Sequence, residues 1–532
     1  MTTRLWILGL ALGLSAAPAL AFSPAQPPPP QETRQQVLPR GVVVQLDDKR
    51  VYAAGFSGTV RFAATSGLSA PGPPPAPELP RGQIIEKVAC ATSPKHTYAL
   101  YLPAAYRVDR KWPVVYAFDS KGNGKEIAER LRTGAERFGW VVVSSYDSSN
   151  TIPMEENFQT MRALWADSHS RLSLDDRRIY GLGFSGLVRF VCMLEITAPG
   201  SLAGVLGMNG GFPLGYPPSK ETTFPFYFTV GDKDFSYYEL LDLDTNLAAL
   251  GLPHHLEIFD GSHQWPPEDL FTRGVGWMEL HAMKRGLREK DSSVVAALWQ
   301  DDLARARSLD AGGRIWEAWR AWSALAADYS GLVGAEEMKE AAGRLAALRS
   351  SEELRKGLAT RGARDRRDRE YLERVPRLFE LIPAEVRPDT VSQLVADLEI
   401  PELKKKAESH PDPEERLSAK RLLYAVYIQT GLYLPREHSQ RHQFDRAIFF
   451  LQIAATIDPD VPNIPYRLAS AWAQKGNRRR ALDYLALAVE KGWTDLVMLE
   501  GDQTFDSLRQ TEDYKTIVAG ILQRQQSARP PE

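Results

Sequence analysis

Three residues of this chain have the types and the order that nucleophilic catalysis needs: Ser185, Asp234 and His263. A serine hydroxyl attacks poorly until a neutral imidazole accepts its proton, and a carboxylate must fix that imidazole's tautomer and steady the imidazolium. Ser185 follows Arg178–Leu182, a short apolar run that reads as a strand. Gly183-Phe184-Ser185-Gly186 then makes a sharp turn, and Leu187–Leu194 continues as a buried helix. A strand, a strained turn and a helix in that order lift a serine hydroxyl above a sheet and aim the next backbone N–H, that of Gly186, at a developing oxyanion. The usual G-x-S-x-G pattern carries a second glycine where this chain has Leu187, so strand and helix are expected to pass each other across a bulky side chain.

The partners follow downstream. Phe224–Val230 is apolar, aromatic and β-branched, which favours a buried strand, and it runs into Gly231-Asp232-Lys233-Asp234. A G-x-x-D at the end of a late strand suits the acid; Asp234 fits the spacing and Asp232 is the reserve. A helix from about Tyr238 to Leu250 and a last strand, Pro253–Phe259, lead to the loop Asp260–Trp265 that carries His263. Trp265 and Tyr237 are expected to shape the acyl pocket. The second oxyanion donor should be a backbone N–H near Ser120, in the loop Asp119–Gly124 after the strand Trp112–Phe118. A single such turn or histidine is ordinarily structural. The case for chemistry rests on all three falling at strand ends in the order Ser, Asp, His.

Residues from about Ile84 to Leu287 resemble a small bacterial α/β-hydrolase of the esterase and polyhydroxyalkanoate-depolymerase-like group. The resemblance is carried by Tyr98–Pro103, Pro113–Asp119, Gly183–Gly186, Gly231–Phe235 and Gly261–Trp265. In such relatives the serine is more often followed by Gly-Gly-x-Arg, where this chain has Gly186-Leu187-Val188-Arg189. The resemblance implies a mainly parallel sheet with helices on both faces and ester hydrolysis through an acyl-enzyme, with no cofactor. About fifteen residues separate the strand Leu202–Met208 from the one starting at Phe224, where many lipases insert a lid. An open site is therefore expected, able to take an extended or bulky acyl group.

The serine turn has a second copy. Leu46–Phe62 aligns with Leu174–Phe190 at an offset of 128, with twelve of seventeen positions identical. Its serine, Ser57, precedes every strand of the core, lies between Pro-rich stretches, and has no acid and base left to it. The copy reads as a relic of partial duplication or an added edge strand. At the N-terminus, Arg4, an apolar run over Leu5–Leu14 and Ala19-Leu20-Ala21 form an export signal with cleavage expected after Ala21, which predicts a periplasmic or secreted protein. That run is too short for a stable membrane span.

Composition narrows the classes. With 65 basic and 67 acidic residues the net charge is −2, so no global field draws nucleic acid or anionic lipid. Cys90 and Cys192 permit one disulfide in an oxidising compartment, although Cys192, on the helix after the serine, fits a buried apolar role. The nine histidines lack metal-site spacing; His254, His255 and His263 lie on a strand and its loop. The densest charge run, Arg361–Glu370, reads as a solvated helix face.

Beyond about Asp291 strand patterns give way to helical ones, with Val294–Leu309 and Ile315–Tyr329 joined at Gly312-Gly313. Ala447, Leu451 and Ala454 recur 34 residues on as Ala481, Leu485 and Ala488, with Trp472 and Gly476 between. Period 34 with small residues where helices cross resembles the tetratricopeptide repeat, whose stacked helix pairs bury a core no single repeat could. The expected layout is a signal peptide (1–21), a Pro-rich linker with the duplicated segment (22–83), an α/β-hydrolase domain (84–290), a helical region (291–410) and tetratricopeptide-like repeats (411–525). The repeats would dock a protein, peptide or polymer. Two other readings stay open: a catalytically silent hydrolase fold serving as an envelope scaffold, and a peptidase of the same fold.

Overall fold

The computed structural model describes residues 79–383 and 386–527, together with the backbone of a small antiparallel pair, β1 (Gln36–Leu38) and β2 (Val42–Val44). The expected export signal, Ser57 and the copied serine turn lie outside the described residues. The main sheet has eight strands: β3 (Ile84–Cys90), β4 (Ser93–Tyr101), β5 (Trp112–Phe118), β6 (Val141–Ser145), β7 (Leu174–Phe184), β8 (Gly204–Met208), β9 (Phe226–Gly231) and β10 (His254–Phe259). Their spatial order is β10-β9-β8-β7-β5-β6-β4-β3. β4 runs antiparallel to both β3 and β6, and every other pairing is parallel.

These strands read as continuous apolar runs because both faces are covered, as a parallel sheet requires. On one face α1 (Gly124–Phe138) and α5 (Glu268–Lys284) bring Ile127, Leu131, Phe271 and Val275 against Val115, Ala117, Leu182 and Met208. On the other, α2 (Met154–Arg171), α3 (Gly186–Thr197) and α4 (Tyr237–Leu250) bury Leu164, Val188, Val191 and Leu240 against Val114, Tyr116, Phe226 and Phe228. The chain leaves β5 for β6 on one side and later returns to β7 on the other. That reversal opens a crevice at the carboxyl ends of β5 and β7, the usual place for a ligand in such sheets. The strand ends differ from the sequence expectation by a residue or two, except β7, which extends four residues earlier than Arg178. Cys90 and Cys192 are both buried free thiols, so the permitted disulfide is absent.

The rest of the described chain is helical: α6 (Ser292–Ala311), α7 (Ile315–Asp328), α8 (Ala335–Ser350), α9 (Glu352–Glu380), α10 (Pro388–Asp397), α11 (Ile400–Ser409) and α12 (Pro413–Ile428). A π-helical turn, Gln429–Tyr433, joins α12 to α13 (Leu434–Gln440), and α14 (Phe444–Ile457), α15 (Asn463–Gln474) and α16 (Arg478–Glu490) follow. Ala447, Ala454, Ala481, Leu485 and Ala488 are fully buried, so the 34-residue spacing marks the positions where α14, α15 and α16 close on one another. Among the described residues no helix is long and apolar enough to cross a membrane.

One expectation holds only in part. Arg361–Glu370 is solvated along Arg366, Arg367 and Glu370, but its other side lies between the sheet's α4 and the later α12. Arg364 and Asp368 are 6% and 1% exposed. Asp368 accepts from Tyr238 Oη at 2.5 Å and Ser418 Oγ at 2.8 Å, Arg364 pairs with Glu414 at 2.9 Å, and Arg369 pairs with Asp242 at 2.5 Å. Charge alternation announced a polar helix, but not that its partners would be other protein groups.

A second buried polar cluster joins β10 and α5 to α6 and α7. His255 bonds Asp328 at 3.0 Å through Nδ1 and Glu257 at 3.1 Å through Nε2. Arg305 donates twice to Glu257, at 2.8 and 2.7 Å, Arg273 pairs with it at 2.5 Å, and Tyr329 donates to Asp302 at 2.7 Å. Burial alone would lower the His255 pKa, but its two carboxylate partners outweigh that and push it up to about 9.

Candidate active site

Ser185 stands at the turn between β7 and α3 with φ of 55°, a left-handed value that a serine adopts only when its surroundings enforce it. Its N–H donates to Met208 O at 2.8 Å, which pins the turn to β8. A Cβ on Gly183 would lie 2.5 Å from the Leu187 carbonyl oxygen, so helix and strand touch through backbone at that point. Leu187 itself is 1% exposed, and its side chain belongs to the core beneath α3. The expected crossing over a bulky side chain does not occur: the strand meets the backbone of residue 187, and the side chain points elsewhere.

Ser185 Oγ lies 2.8 Å from His263 Nε2, and His263 Nδ1 lies 2.9 and 3.1 Å from the two oxygens of Asp234. With Nδ1 donating to the carboxylate, Nε2 faces the hydroxyl as an acceptor. Asp234 has a fully buried side chain and a full set of donors. Besides His263, it accepts from Asn209 Nδ2 at 2.7 Å and from Ser236 N and Oγ, both at 2.8 Å. Thr229 Oγ1 in turn holds Asn209 Oδ1 at 3.1 Å. This net locks the carboxylate in one orientation. Asp232, the reserve acid, points away from His263 and accepts from Gly261 N at 3.1 Å. It ties the acid loop to the histidine loop.

The two expected oxyanion groups lie on interlocked loops. The Ser120 carbonyl accepts from Asn150 N and from Ser149 Oγ, both at 3.2 Å, and Ser148 Oγ bonds Asp119 O at 3.2 Å. Among the described residues, neither the Gly186 N–H nor the Ser120 N–H donates to a backbone carbonyl. Asn150, from the loop after β6, was not anticipated from the sequence. Its amide is packed against Gly186: a Cβ there would fall 2.5 Å from Asn150 Oδ1 and 3.0 Å from Nδ2. Asn209 and Ser236 were missed as well. Asn209-Gly210 after a strand reads only as a turn, and Ser236 has no pattern of its own.

The two pocket residues part company. Trp265 is half-buried and stacks on Phe184 at 4.3 Å, next to Ser185, while Phe184 lies 5.3 Å from the His263 ring. Tyr237 is 2% exposed and lines no opening. It is the first residue of α4 and faces the helical layers, where Arg421 sits over its ring at 4.4 Å and Arg361 donates to its hydroxyl.

Nor is the site open on every side. No insertion follows β8, as the sequence shows, but α12 and the π-turn from the helical region cover the loops of Asp234 and His263. Phe235 lies 4.5 Å from the His263 ring, with Tyr424 and Tyr433 behind it at 6.0 and 6.5 Å. Arg421 Nη1 donates to Asp232 O at 2.9 Å. The cover comes from residues nearly two hundred positions downstream, where no local pattern could disclose it.

No protein-family model and no curated protein matches this chain. Solved structures similar to part of it include S-formylglutathione hydrolase (FrmB) from Staphylococcus aureus, at 14% identity and TM-score 0.31, covering 38% of this chain and 99% of that one. Est1E from Butyrivibrio proteoclasticus is 12% identical with TM-score 0.29, covering 36% and 95%. Esterase LipW from Mycobacterium marinum is 16% identical with TM-score 0.30, covering 37% and 82%. Likenesses this distant say nothing of what this chain acts on.

Proposed function

We propose that this chain is a serine hydrolase that cleaves carboxylic esters through an acyl-enzyme. The observation that carries the reading is the unbroken path from Ser185 Oγ to His263 Nε2 at 2.8 Å and from His263 Nδ1 to Asp234 at 2.9 Å. Ser185 Oγ attacks the ester carbonyl carbon while His263 Nε2 takes the hydroxyl proton. The carbonyl oxygen becomes an oxyanion held by the N–H groups of Gly186 and Ser120 and, from the side, by the Asn150 amide. His263 then returns the proton to the alkoxide as the C–O bond breaks and the alcohol leaves. Water, deprotonated by the same nitrogen, attacks the acyl carbon; the bond to Ser185 Oγ breaks as His263 returns the proton to that oxygen, and the carboxylic acid leaves. Asp234 keeps the imidazole oriented and its charge compensated throughout.

The remaining assignments belong to the same reading. Residues 1–21 act as an export leader, and the tetratricopeptide-like residues 411–525 dock a protein, peptide or polymer. The ring-bearing side of the site selects the substrate. The test is hydrolysis of short-chain esters by the full chain and by Ser185→Ala. Activity lost in the variant with an unchanged thermal melt is the expected result. An inert wild type that captures a defined partner through residues 411–525 would favour the silent scaffold instead, and cleavage of chromogenic amides in preference to esters would favour a peptidase.

A further inference from the structure

The helical module does more than flank the sheet; it supplies side chains to the mouth of the site. Two attachments from Arg421 fix α12 there: it bonds the Asp232 carbonyl at 2.9 Å, and its guanidinium covers Tyr237. The acid loop is thus held from α12, and Tyr424 of the same helix stands 6.0 Å from Phe235 of that loop. Beyond Tyr424 the helix widens into the π-turn, a device that helices use most often at functional sites. Thr430 Oγ1 bonds Val426 O at 2.8 Å, and Gly431 packs against Ala454 and Ile464 of α14 and α15. The repeat helices therefore set where the turn sits.

What the turn presents is Tyr433. Tyr433 is 36% exposed, its ring stands edge-on to Phe235 at 83° and 6.5 Å, and Arg189, Asp234 and Glu239 are within electrostatic reach. Phe235, which the Tyr433 ring meets edge-on, lies 4.5 Å from the His263 ring, so Tyr433 stands one ring removed from His263. Arg189 and Glu239 satisfy each other at 3.0 Å, which leaves no unpaired charge beside the ring. A wet, flat ring in a row with Phe235 and Tyr424 offers faces and edges rather than an aliphatic trough. Ring pairs gain from offset or edge contact beyond their buried area, whereas an alkyl chain gains from area alone.

We propose that Tyr433, with Phe235 and Tyr424, forms one wall of the substrate pocket and selects esters that carry a flat aromatic ring over aliphatic esters of similar size. This rests on the hydrolase reading of Ser185. It makes the helical module part of the active site, with Arg421 as a positioning residue and Tyr433 as a specificity residue.

The test compares kcat/KM for methyl phenylacetate and methyl hexanoate, by alkali titration, in the full chain, Tyr433→Phe and Tyr433→Ala. The wild type should favour phenylacetate, Tyr433→Phe should keep that preference, and Tyr433→Ala should lose about 2- to 10-fold of it, the range that one ring pair supplies. A preference that survives Tyr433→Ala, or an equal loss on both esters, overturns the proposal. A small alkyl fluorophosphonate separates the remaining cases. Labelling of Ser185 in a wild type that cleaves aliphatic esters but not phenylacetate refutes the aromatic wall and leaves the hydrolase reading intact. No labelling and no turnover refutes the hydrolase reading and the wall with it.

Discussion

His255 lies in a buried cluster in which its ring is held between two carboxylates, Glu257 and Asp328. The cations are His255, Arg273 and Arg305; the anions are Glu257, Asp302 and Asp328. Lys284, at the edge, faces Asp328, and His281, pushed down to about 4 by burial, stays neutral near it. Because the folded pKa of His255, about 9, exceeds its ordinary value of 6.5, the proton stabilises the folded state. The contribution is fully present below pH about 6.5, falls as pH rises, and is gone above about 9. At about 1.4 kcal/mol per pH unit this amounts to about 3 kcal/mol. For a cooperative unit of roughly 200 residues that corresponds to a fall in Tm on the order of 10 °C. The perturbation is His255→Gln, which keeps a polar side chain and removes the titration. The assay is a thermal melt of both proteins from pH 6 to 10, read as the difference between them. Wild type should start higher and converge on the variant as pH approaches 9.5. Parallel curves across that window would refute the reasoning, because they would mean that His255 does not hold its proton when folded.

Two further outcomes follow from the packing. Asn150→Ala should lower kcat for ester hydrolysis by roughly 10²- to 10³-fold with little change in KM, the signature of a lost oxyanion donor, and a steady-state ester assay with a parallel melt checks it. Asp368→Ala should cost about 1–3 kcal/mol, because it strands the hydroxyls of Tyr238 and Ser418 between α4, α9 and α12. A urea midpoint that does not move would show that the layer between α4 and α12 is not held there.

Much of the sheet-bearing part was legible because its signals are local. Strands buried on both faces leave unbroken apolar runs, and a serine, an aspartate and a histidine at the ends of three such runs point to one edge of one sheet. The choice of Asp234 over Asp232 rested on spacing; Asp234 bonds His263, while Asp232 braces Gly261. What stayed hidden depends on contacts between distant segments. Tyr237 looked like a pocket residue because it follows the acid loop, but α9 and α12 cover it. Arg361–Glu370 looked solvated because a charged helix face does not name its partners. Leu187 looked obstructive because a pattern of residue types does not say which way a side chain leaves a turn. Asn150 and Tyr433 carry no motif; they matter through the loop and helix that deliver them.

The central claim is that Ser185 is an activated nucleophile. The most direct measurement is fluorophosphonate labelling of folded protein spanning residues 22–532, followed by peptide mapping, with Ser185→Ala and Ser57→Ala alongside. The account predicts one label on Ser185, lost in Ser185→Ala and retained in Ser57→Ala. Folded wild type that takes no label, or takes it at another residue, would contradict it.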